Sequence, residues 1–366
     1  MASDLSGAPP AGSPADAPSW SSEDTTPREI AGALARLSEH RDGGRGRAYA
    51  PARALSLVTV ADRGRSDELV SRLDRLGGLA PSRTIVCVVD ERRSGLGASA
   101  TMDFQTPAHS GALAVFRERV EIHLAPDLLG QIDSILDRLL IADVPTILWS
   151  PSHPEAVESM LADARVVLVD TGDAADPGAA LVRVADVAER VAVVDLAWHR
   201  TTPWRERLAA AFQRAGERGA LERIEGVCVR HQPEAVASGL LLTGWLCSRL
   251  GWHRAQRLAQ RPGGGLGGAA ESAAGTVELA LEPVPEQTVP GLAGVTVTGA
   301  ELSLTLDRGV GGLCARQRMG PGRELSWTAL GASRGEDGIL RDALRDALVH
   351  DPAYRPSLHA AAGMLG

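Results

Sequence analysis

The most informative stretch of this 366-residue chain is Asp195-Leu-Ala-Trp-His-Arg-Thr-Thr-Pro-Trp-Arg-Glu206, where an apolar strand pattern changes into a helical one. It contains two tryptophans, two arginines, a histidine and two acids, in a chain with only 3% aromatic residues. Burying such a run is costly unless each charged group finds a partner. We therefore expect this stretch to hold a domain junction together or to face another molecule.

The composition describes an ordinary globular protein, with 44% hydrophobic and 23% charged residues. A chain of this length exceeds what one core usually supports, so we expect two domains. The 38 basic residues are all arginine, which excludes a lysine Schiff base and the lysine of a phosphate-binding P-loop. The net charge of −8 argues against nucleic acid as a partner.

The N-terminal residues do not have the pattern of a signal peptide, since they lack both a basic start and an apolar core. No apolar run approaches the roughly 20 residues that a transmembrane helix needs. We expect residues 1–27 to be a disordered tail on a cytoplasmic protein that has no membrane partner.

The first half alternates strand and helix patterns. Continuous apolar runs, typical of strands buried on both faces, occur at residues 55–60, 83–89, 145–149 and 166–170. The intervening helical patterns favour an α/β domain with a mostly parallel sheet and flanking helices. The turn-rich segment 171–178 is a plausible boundary, so we predict that residues 28–177 form this domain.

The second half has a different pattern, and we predict an α+β domain over residues 178–366. Short alternating strands follow the helix at residues 233–250, and a last helix is expected at 337–349 with Leu348 facing inward. The glycine-rich stretch 261–275 predicts a flexible loop. Thr202 and Pro203 have the chemistry of a helix start, because a capping hydroxyl precedes a proline at the first helical position.

A search for catalytic motifs finds none that is convincing. Gly95-Leu-Gly-Ala-Ser-Ala100 matches the dinucleotide fingerprint on paper, but a strand-like run follows it instead of the helix that the fingerprint requires. The nine histidines are scattered without metal-ligand spacing. The four cysteines have no CxxC pattern; Cys87 and Cys247 fit buried reduced thiols, whereas Cys228 and Cys314 stay open. We predict no catalytic residue, no metal and no cofactor.

Five segments together resemble the glucose-6-phosphate dehydrogenase assembly proteins, the OpcA family. They occur in the family's order, from about Arg53 onward, and the likeness weakens after Gly263. Ser150 and Ala142 depart from the family, which usually has tryptophan and proline there. The five similar segments are residues 52–60, 81–86, 139–149, 195–205 and 242–250.

The resemblance implies a non-enzymatic partner of glucose-6-phosphate dehydrogenase, which assists assembly of that enzyme or raises its activity in the oxidative pentose phosphate pathway. As a hypothesis, the partner contact is formed or supported by Trp198, His199, Arg200, Trp204 and Arg205, since tryptophan and arginine dominate interface energies. Core packing is an equally open interpretation of Trp198 and the favoured one for Trp204.

Structural junctions are expected at five residues of these segments. Asp195 could pair with an arginine of its own segment. The full set is Asp195, Thr202, Pro203, Trp149 and Trp245.

Two alternatives to the assembly role remain. The chain could be an enzyme or a small-molecule-binding protein that uses the carboxyl ends of the first-domain strands, where open α/β sheets bind ligands. Asp90, Trp149, His153 and Asp170 would then be the residues to examine. The chain could also be a paralogue that kept the scaffold and changed its partner.

Overall fold

The computed structural model of the chain describes residues 18–42, 55–75, 83–105, 115–151, 153–214, 218–300, 302–320, 324–330 and 335–365. The chain divides into two compact units, Met1–Asp163 and Ala164–Gly366. Each unit combines helices with a mixed β-sheet.

The described residues of the first unit form six strands and four helices. The strands are β1 (Ser19–Ser22), β2 (Ser56–Asp62), β3 (Arg83–Val89), β4 (Leu96–Gln105), β5 (Val115–Leu124) and β6 (Thr146–Trp149). The helices are α1 (Pro27–Asp42), α2 (Arg63–Asp74), α3 (Ile132–Leu136) and α4 (Pro154–Met160), and a 3₁₀ turn at Pro126–Gln131 precedes α3.

The sheet of this unit has the order β1-β4-β5-β3-β2-β6. Its inner strands β5, β3, β2 and β6 are parallel, while at one edge β4 pairs antiparallel with β5 and β1 pairs antiparallel with β4. Every residue of β3 is buried, as expected for a central strand covered on both faces. The continuous apolar runs of the sequence therefore mark these strands correctly.

The N-terminal segment is more ordered than the sequence suggests. Ser19–Ser22 pairs with β4, so the prediction of a disordered tail through residue 27 is wrong for these four residues. A reciprocal capping box then starts α1: the Thr26 amide donates to the Glu29 carboxylate at 2.9 Å, and the Glu29 amide donates to Thr26 Oγ1 at 3.3 Å. Residues 1–17 of the predicted tail lie outside the described residues.

In the described part of the second unit there are ten strands and six helices. The strands are β7 (Val166–Val169), β8 (Ala192–Asp195), β9 (Ile224–His231), β10 (His253–Gln260), β11 (Leu266–Ser272), β12 (Gly275–Pro283), β13 (Leu292–Gly299), β14 (Leu302–Gly309), β15 (Gly312–Met319) and β16 (Glu324–Leu330). The helices are α5 (Pro177–Ala188), α6 (Leu196–Arg214), α7 (Arg218–Glu222), α8 (Val236–Leu250), α9 (Gly335–Asp346) and α10 (Tyr354–Gly363).

Strands β9–β16 form a sheet of order β10-β11-β12-β9-β13-β14-β15-β16, in which only the β9–β12 pair is parallel. β7 pairs with β8 in parallel. Both strands lie in the second unit, whereas the sequence analysis placed β7 in a first domain of residues 28–177. The division lies between Asp163 and Ala164, ahead of the predicted boundary at residue 178.

The glycine-rich segment 261–275 is not the flexible loop that the sequence predicts. Leu266–Ser272 forms β11, which pairs with β10 and β12. A β-carbon at Gly268 would lie 2.9 Å from the carbonyl oxygen of Arg257, so this glycine permits close approach of the neighbouring strand. Among the described residues, no helix is both long and apolar enough to span a membrane.

The core of the second unit depends on a close crossing of α8 and α10. Gly244 lies at this crossing, where a β-carbon would approach the carbonyl oxygen of Ser357 to 2.3 Å and the amide nitrogen of Ala361 to 2.9 Å. The close approach therefore requires a residue without a side chain. Gly244 belongs to the 242–250 segment, so this part of the resemblance has a packing explanation.

We predict that Gly244→Ala destabilises the protein by about 1–3 kcal/mol, because overpacking forces two helix backbones apart. Urea unfolding measures the difference. Gly64→Ala on α2 is the matched control, because a β-carbon there meets no atom within 4 Å, and it should be neutral or slightly stabilising. Equal stability of the two variants would contradict the close-crossing interpretation.

Candidate functional site

Asp195 anchors the segment with which the sequence analysis began. It is the last residue of β8 and is fully buried, and α6 begins at the next residue. Its carboxylate accepts hydrogen bonds from the amides of Ala197 at 2.9 Å and Thr171 at 3.2 Å, from the Thr171 hydroxyl at 2.7 Å and from the Tyr354 hydroxyl at 3.3 Å. This one side chain therefore joins β8, α6, α10 and the turn after β7.

Burial, together with the nearby Asp170 carboxylate, raises the pKa of Asp195 to about 6 against the lowering effect of the hydrogen bonds. Burial and Asp195 also raise the pKa of the Tyr354 hydroxyl. The expectation that Asp195 pairs with an arginine of its own segment is wrong. Its donors are hydroxyl and amide groups instead.

Arg200 of this segment pairs with Asp170, the carboxylate near Asp195. Arg200 donates to both oxygens of Asp170 at 2.7 Å and to both oxygens of Glu336 at 3.0 and 2.6 Å. Burial by itself would lower the pKa of the Arg200 guanidinium, but its hydrogen bonds to the two carboxylates outweigh burial and raise the pKa above its ordinary value. Arg200 thus ties α6 to the end of β7 and to the start of α9.

Trp198 and Arg205 form a second internal cluster. The guanidinium carbon of Arg205 lies 3.5 Å from the centroid of the Trp198 ring, and the Trp198 indole donates to Asp351 at 2.8 Å. Arg205 also donates to the hydroxyls of Thr201 and Thr202, each at 2.9 Å. Burial lowers the pKa of Arg205 to about 10. Both side chains of this stack are held by the chain itself.

Trp204 is part of the hydrophobic core, with only 2% of its surface exposed. The predicted helix start at Thr202 and Pro203 is wrong, because α6 runs uninterrupted from Leu196 and contains Pro203 in its interior. Asp195 supplies the cap earlier, through its hydrogen bond from the Ala197 amide. Inside the helix, the Thr202 hydroxyl accepts a hydrogen bond from Arg205 instead of capping a helix start.

A cavity of about 220 Å³ lies beside this cluster within the second unit. His199 lines it, and burial lowers the pKa of this imidazole. The other lining residues come from β8, from α6 and from the segment between α9 and α10; they include Trp198, Thr202, Arg205, Glu206, Asp346 and Asp351.

The cavity opens beside an exposed apolar edge. Leu348 is 48% exposed and Val349, which lines the cavity, is 68% exposed. The prediction that Leu348 faces inward is wrong, because α9 ends at Asp346 and Leu348 lies beyond it. Exposed apolar residues around a concavity are typical of a contact surface for another molecule.

The two other tryptophans named in the sequence analysis, Trp245 and Trp149, lie elsewhere. Trp245 is on α8 and packs against the core of the second unit. Trp149 ends β6 in the first unit, is buried, and has the Arg72 guanidinium carbon 5.5 Å from its ring centroid. Their assignment as junction residues stays a prediction.

The strand ends of the first unit carry the polar residues of the alternative small-molecule interpretation. Asp90 accepts from the amide of Arg92 at 3.0 Å and pairs with Arg63, which lowers its pKa. His153 Nε2 lies 2.9 Å from Asp62 Oδ1. These carboxylates already have partners within the chain, as Asp170 has in the second unit. Among the described residues, no group of three or more histidine, cysteine or acidic side chains is placed to hold a metal ion.

The cysteines agree with the sequence analysis. Cys87 and Cys247 are buried free thiols, and burial raises the pKa of each to about 12. Burial also raises the pKa of Cys228 to about 11, and Cys228 and Cys314 are half-buried.

Several residues that shape the site were not found from the sequence. Thr171, Glu336, Asp351 and Tyr354 supply the partners of the 195–206 segment, and two of these contacts join residues that are 136 and 153 positions apart. Local spacing cannot show such pairs. The helical spacing of the apolar residues near 348 predicted that Leu348 faces the core, so the exposed apolar edge was missed.

Two family models match the chain. One is described as the N-terminal domain of the glucose-6-phosphate dehydrogenase subunit and matches residues 74–186, and the other is described as the C-terminal domain of that subunit and matches residues 191–358. The matches confirm the resemblance seen in the sequence. The chain belongs to the glucose-6-phosphate dehydrogenase assembly protein family, also called OpcA.

Relatives that carry the name OxPP cycle protein OpcA match a shorter part of the chain than the two family models do. The protein of Synechocystis sp. is 28% identical over 140 residues, which is 37% of this chain and 30% of that protein. The protein of Nostoc punctiforme is 32% identical over 130 residues, or 34% of this chain and 28% of that protein. The matched segment spans less than a third of either relative's length.

Solved structures resemble the chain only distantly. The oxidoreductase yvaA from Bacillus subtilis covers 84% of this chain and 94% of its own at 12% identity, with a TM-score of 0.47. The aldose-aldose oxidoreductase from Caulobacter crescentus covers 85% and 98% at 12% identity, with a TM-score of 0.45. Similarity at this level carries no conclusion about activity.

The buried Asp195 carboxyl predicts a pH dependence of stability. Because its folded pKa is about 6 and an unfolded aspartate titrates near 4, the folded state holds its proton more tightly. The contribution of this group to stability is present below pH of about 4 and is lost as the pH rises through about 6, by up to about 3 kcal/mol. Asp195→Asn should remove this slope. Urea unfolding of both chains between these pH values tests it, and an identical slope would contradict the prediction.

Arg200→Ala should destabilise the protein by about 3 kcal/mol, because it leaves the Asp170 carboxylate buried without its cation. Arg345→Ala is the control, since that arginine is exposed and pairs with Asp342 on the surface of α9, where such a pair contributes at most about 1 kcal/mol. Thermal unfolding of the two variants compares them directly. An Arg200→Ala chain as stable as the control would show that the buried pair does not hold α6.

Proposed function

We propose that this chain is a non-catalytic assembly factor and allosteric activator of glucose-6-phosphate dehydrogenase. The observation that carries the proposal is the match to both family models, which are named for a subunit of that enzyme and lie in chain order over residues 74–186 and 191–358.

The polar groups of the chain support a non-catalytic role. The carboxylates at the strand ends are held in ion pairs with arginine or histidine. The segment Gly95–Ala100, which matches the dinucleotide fingerprint on paper, runs into strand β4 instead of a strand-to-helix turn. A pyrophosphate would therefore not meet a helix N-terminus there. The interpretation as a small-molecule enzyme has no such support.

The contact surface that we propose is the cavity mouth and its apolar edge, which we call the α6–α9 rim: His199, Glu206, Leu348, Val349 and His350. This modifies the hypothesis from the sequence. Of the residues named there, His199 lines the cavity and belongs to the rim, while Arg205 and Trp198 line the cavity as a stack that the chain itself holds. Arg200 is held by Asp170 and Glu336, and Trp204 is in the core, so both support the contact from inside.

Activation requires only a difference in affinity. A protein that binds the active form of the dehydrogenase more tightly than the inactive form shifts the population toward the active form. A tenfold shift needs about 1.4 kcal/mol of differential binding. One apolar patch with a few polar contacts can provide this.

The test measures the activity and native mass of the dehydrogenase from the same organism, with and without this chain. We expect co-elution and higher activity with the unchanged chain. Leu348→Glu/Val349→Glu should lose both while remaining folded, because these side chains are exposed and are not members of the hydrophobic core cluster of the second unit. Each introduced carboxylate would have to be desolvated in the contact.

Val310→Glu is the matched control, since Val310 is an exposed valine at the turn between β14 and β15, away from the rim. It should activate like the unchanged chain. If the rim variant still activates the dehydrogenase, the contact lies elsewhere on the surface. No binding and no activation by the unchanged chain would contradict the assembly role itself.

A further inference from the structure

The large sheet of the second unit ends in two edge strands that differ in how well they are protected. Strand β10 forms one edge, and its pairing with β11 contains two register shifts, between Arg254 and Gln256 and between Gln256 and Ala259. Irregular pairing of this kind, together with charged side chains such as that of Arg257, hinders the approach of another strand. This edge is therefore protected against further pairing.

Strand β16 forms the other edge and lacks this protection. It pairs with β15 in a continuous register from Glu324 to Leu330. Its sequence, Glu324-Leu-Ser-Trp-Thr-Ala-Leu330, contains no proline or glycine, and its one charged residue lies at the end. Five of its seven residues are exposed, among them Leu325 at 42% and Leu330 at 75%. A regular, exposed edge with apolar side chains is a template for another strand.

The hairpin that precedes β16 fixes which backbone groups of β15 point toward β16. Gly309 on β14 pairs with Gly312 on β15 across a two-residue turn, so these two residues exchange hydrogen bonds with each other. The bonding direction alternates along an antiparallel strand. The N–H and C=O groups of Leu313, Ala315 and Gln317 therefore point from β15 toward β16.

The same alternation fixes the outer groups of β16. The residues that exchange hydrogen bonds with β15 are Leu325, Trp327 and Ala329, which lie opposite those three residues. The N–H and C=O groups of the residues between and beside them point away from the sheet. These residues are Glu324, Ser326, Thr328 and Leu330. Among the described residues, no further strand pairs with them.

Antiparallel pairing of β16 with β16 of a second copy satisfies these outer groups in both chains. Trp327 is the middle residue of the strand, and a two-fold axis at this residue sets Ser326 of one copy opposite Thr328 of the other. The same axis sets Glu324 opposite Leu330. All four residues have outward-pointing groups, so each opposed pair exchanges two hydrogen bonds. The strand is used over its whole length, and one continuous sheet crosses both copies.

The side chains on the helix-covered side of the sheet also match in this pairing. This side is identified by Gln317, which lies opposite Leu325 and donates to the carbonyl of Ala211 on α6. Leu325 of one copy then lies opposite Ala329 of the other. The two Trp327 side chains meet in the close position between hydrogen-bonded pairs, where aromatic pairs are favourable. An apolar row therefore crosses the contact.

On the other side of the sheet the opposed residues are compatible as well. Ser326 lies opposite Thr328, a kind of pair whose hydroxyl groups bond across strands. Glu324 is the only charged residue of the strand and lies opposite Leu330, so no like charges face each other directly. These matches favour a second copy over a strand of unrelated sequence.

We propose that β16 binds β16 of a second copy of this chain, by antiparallel edge-to-edge pairing about Trp327. The contact uses none of the residues of the α6–α9 rim, so it does not depend on binding of the dehydrogenase. Backbone hydrogen bonds and apolar side chains hold the two strands together. We therefore expect a dimer that persists as the salt concentration rises, because salt weakens mainly contacts between exposed charges.

The first experiment measures the native mass of the full chain, without any dehydrogenase, by sedimentation over a wide range of protein concentration. We expect twice the mass of one chain. Ser326→Pro should raise the dissociation constant at least about tenfold, because it removes an outward N–H group from each copy. Ser326→Ala is the matched control, since it keeps this N–H group and should remain dimeric.

Both variants should stay folded, because the backbone groups of Ser326 point away from β15 and proline is tolerated on an edge strand. Circular dichroism and urea unfolding of each variant check this.

The second experiment tests the register of the pairing through the side chains at positions 326 and 328. Ser326→Glu/Thr328→Glu places carboxylates opposite each other in the dimer and should dissociate it. Ser326→Arg/Thr328→Glu changes the same two positions but places an arginine opposite each carboxylate, and it should remain dimeric.

A monomeric unchanged chain at every concentration would overturn the proposal. So would a dimer that Ser326→Pro leaves undiminished, because the contact would then lie on another surface. Equal dissociation, or equal persistence, of the two charge variants would overturn the antiparallel pairing about Trp327.

Discussion

The second unit depends on the burial of one carboxylate at the step from β8 to α6. Asp195 is fully buried, and its hydrogen bonds join α6, α10 and the turn after β7. Each donor reduces the cost of removing this group from water, yet its pKa still rises to about 6. The neighbouring Asp170 then requires its own cation, and Arg200 supplies it.

This constraint explains the unusual composition of the 195–206 segment. Its charged and aromatic side chains contact other parts of the same unit. Arg200 donates to Glu336, and the Arg205 guanidinium lies over the Trp198 ring. A sequence that resembles an exposed interface is therefore an internal joint. The mouth of the cavity and the apolar edge at Leu348 and Val349 stay exposed beside it, and they form the contact surface that we propose. The joint positions that edge by fixing the segment between α9 and α10.

The sequence predicts those parts of the fold that local pattern controls. Continuous apolar runs marked the parallel strands, and spacing identified α8. Two patterns that fit more than one structure led to wrong predictions. Thr202-Pro203 is typical of a helix start but lies inside α6. The glycines near 268 are typical of a loop but allow a neighbouring strand to approach closely. The partners of Trp198 and Arg200 lie 153 and 136 residues away, so no local rule could have found them. The family resemblance supplied the proposal of function, which the residues alone did not.

The central claim is that the 195–206 segment is an internal joint and that the partner contact lies on the rim beside it. Hydrogen–deuterium exchange of the chain, alone and with glucose-6-phosphate dehydrogenase, tests this most directly. The account predicts slow exchange of the α6 amides from the Ala197 turn onward in the chain alone, with new protection at residues 346–351 when the dehydrogenase is added. Rapid exchange of residues 195–206 in the chain alone, with protection only in the complex, would show that the segment is itself the interface.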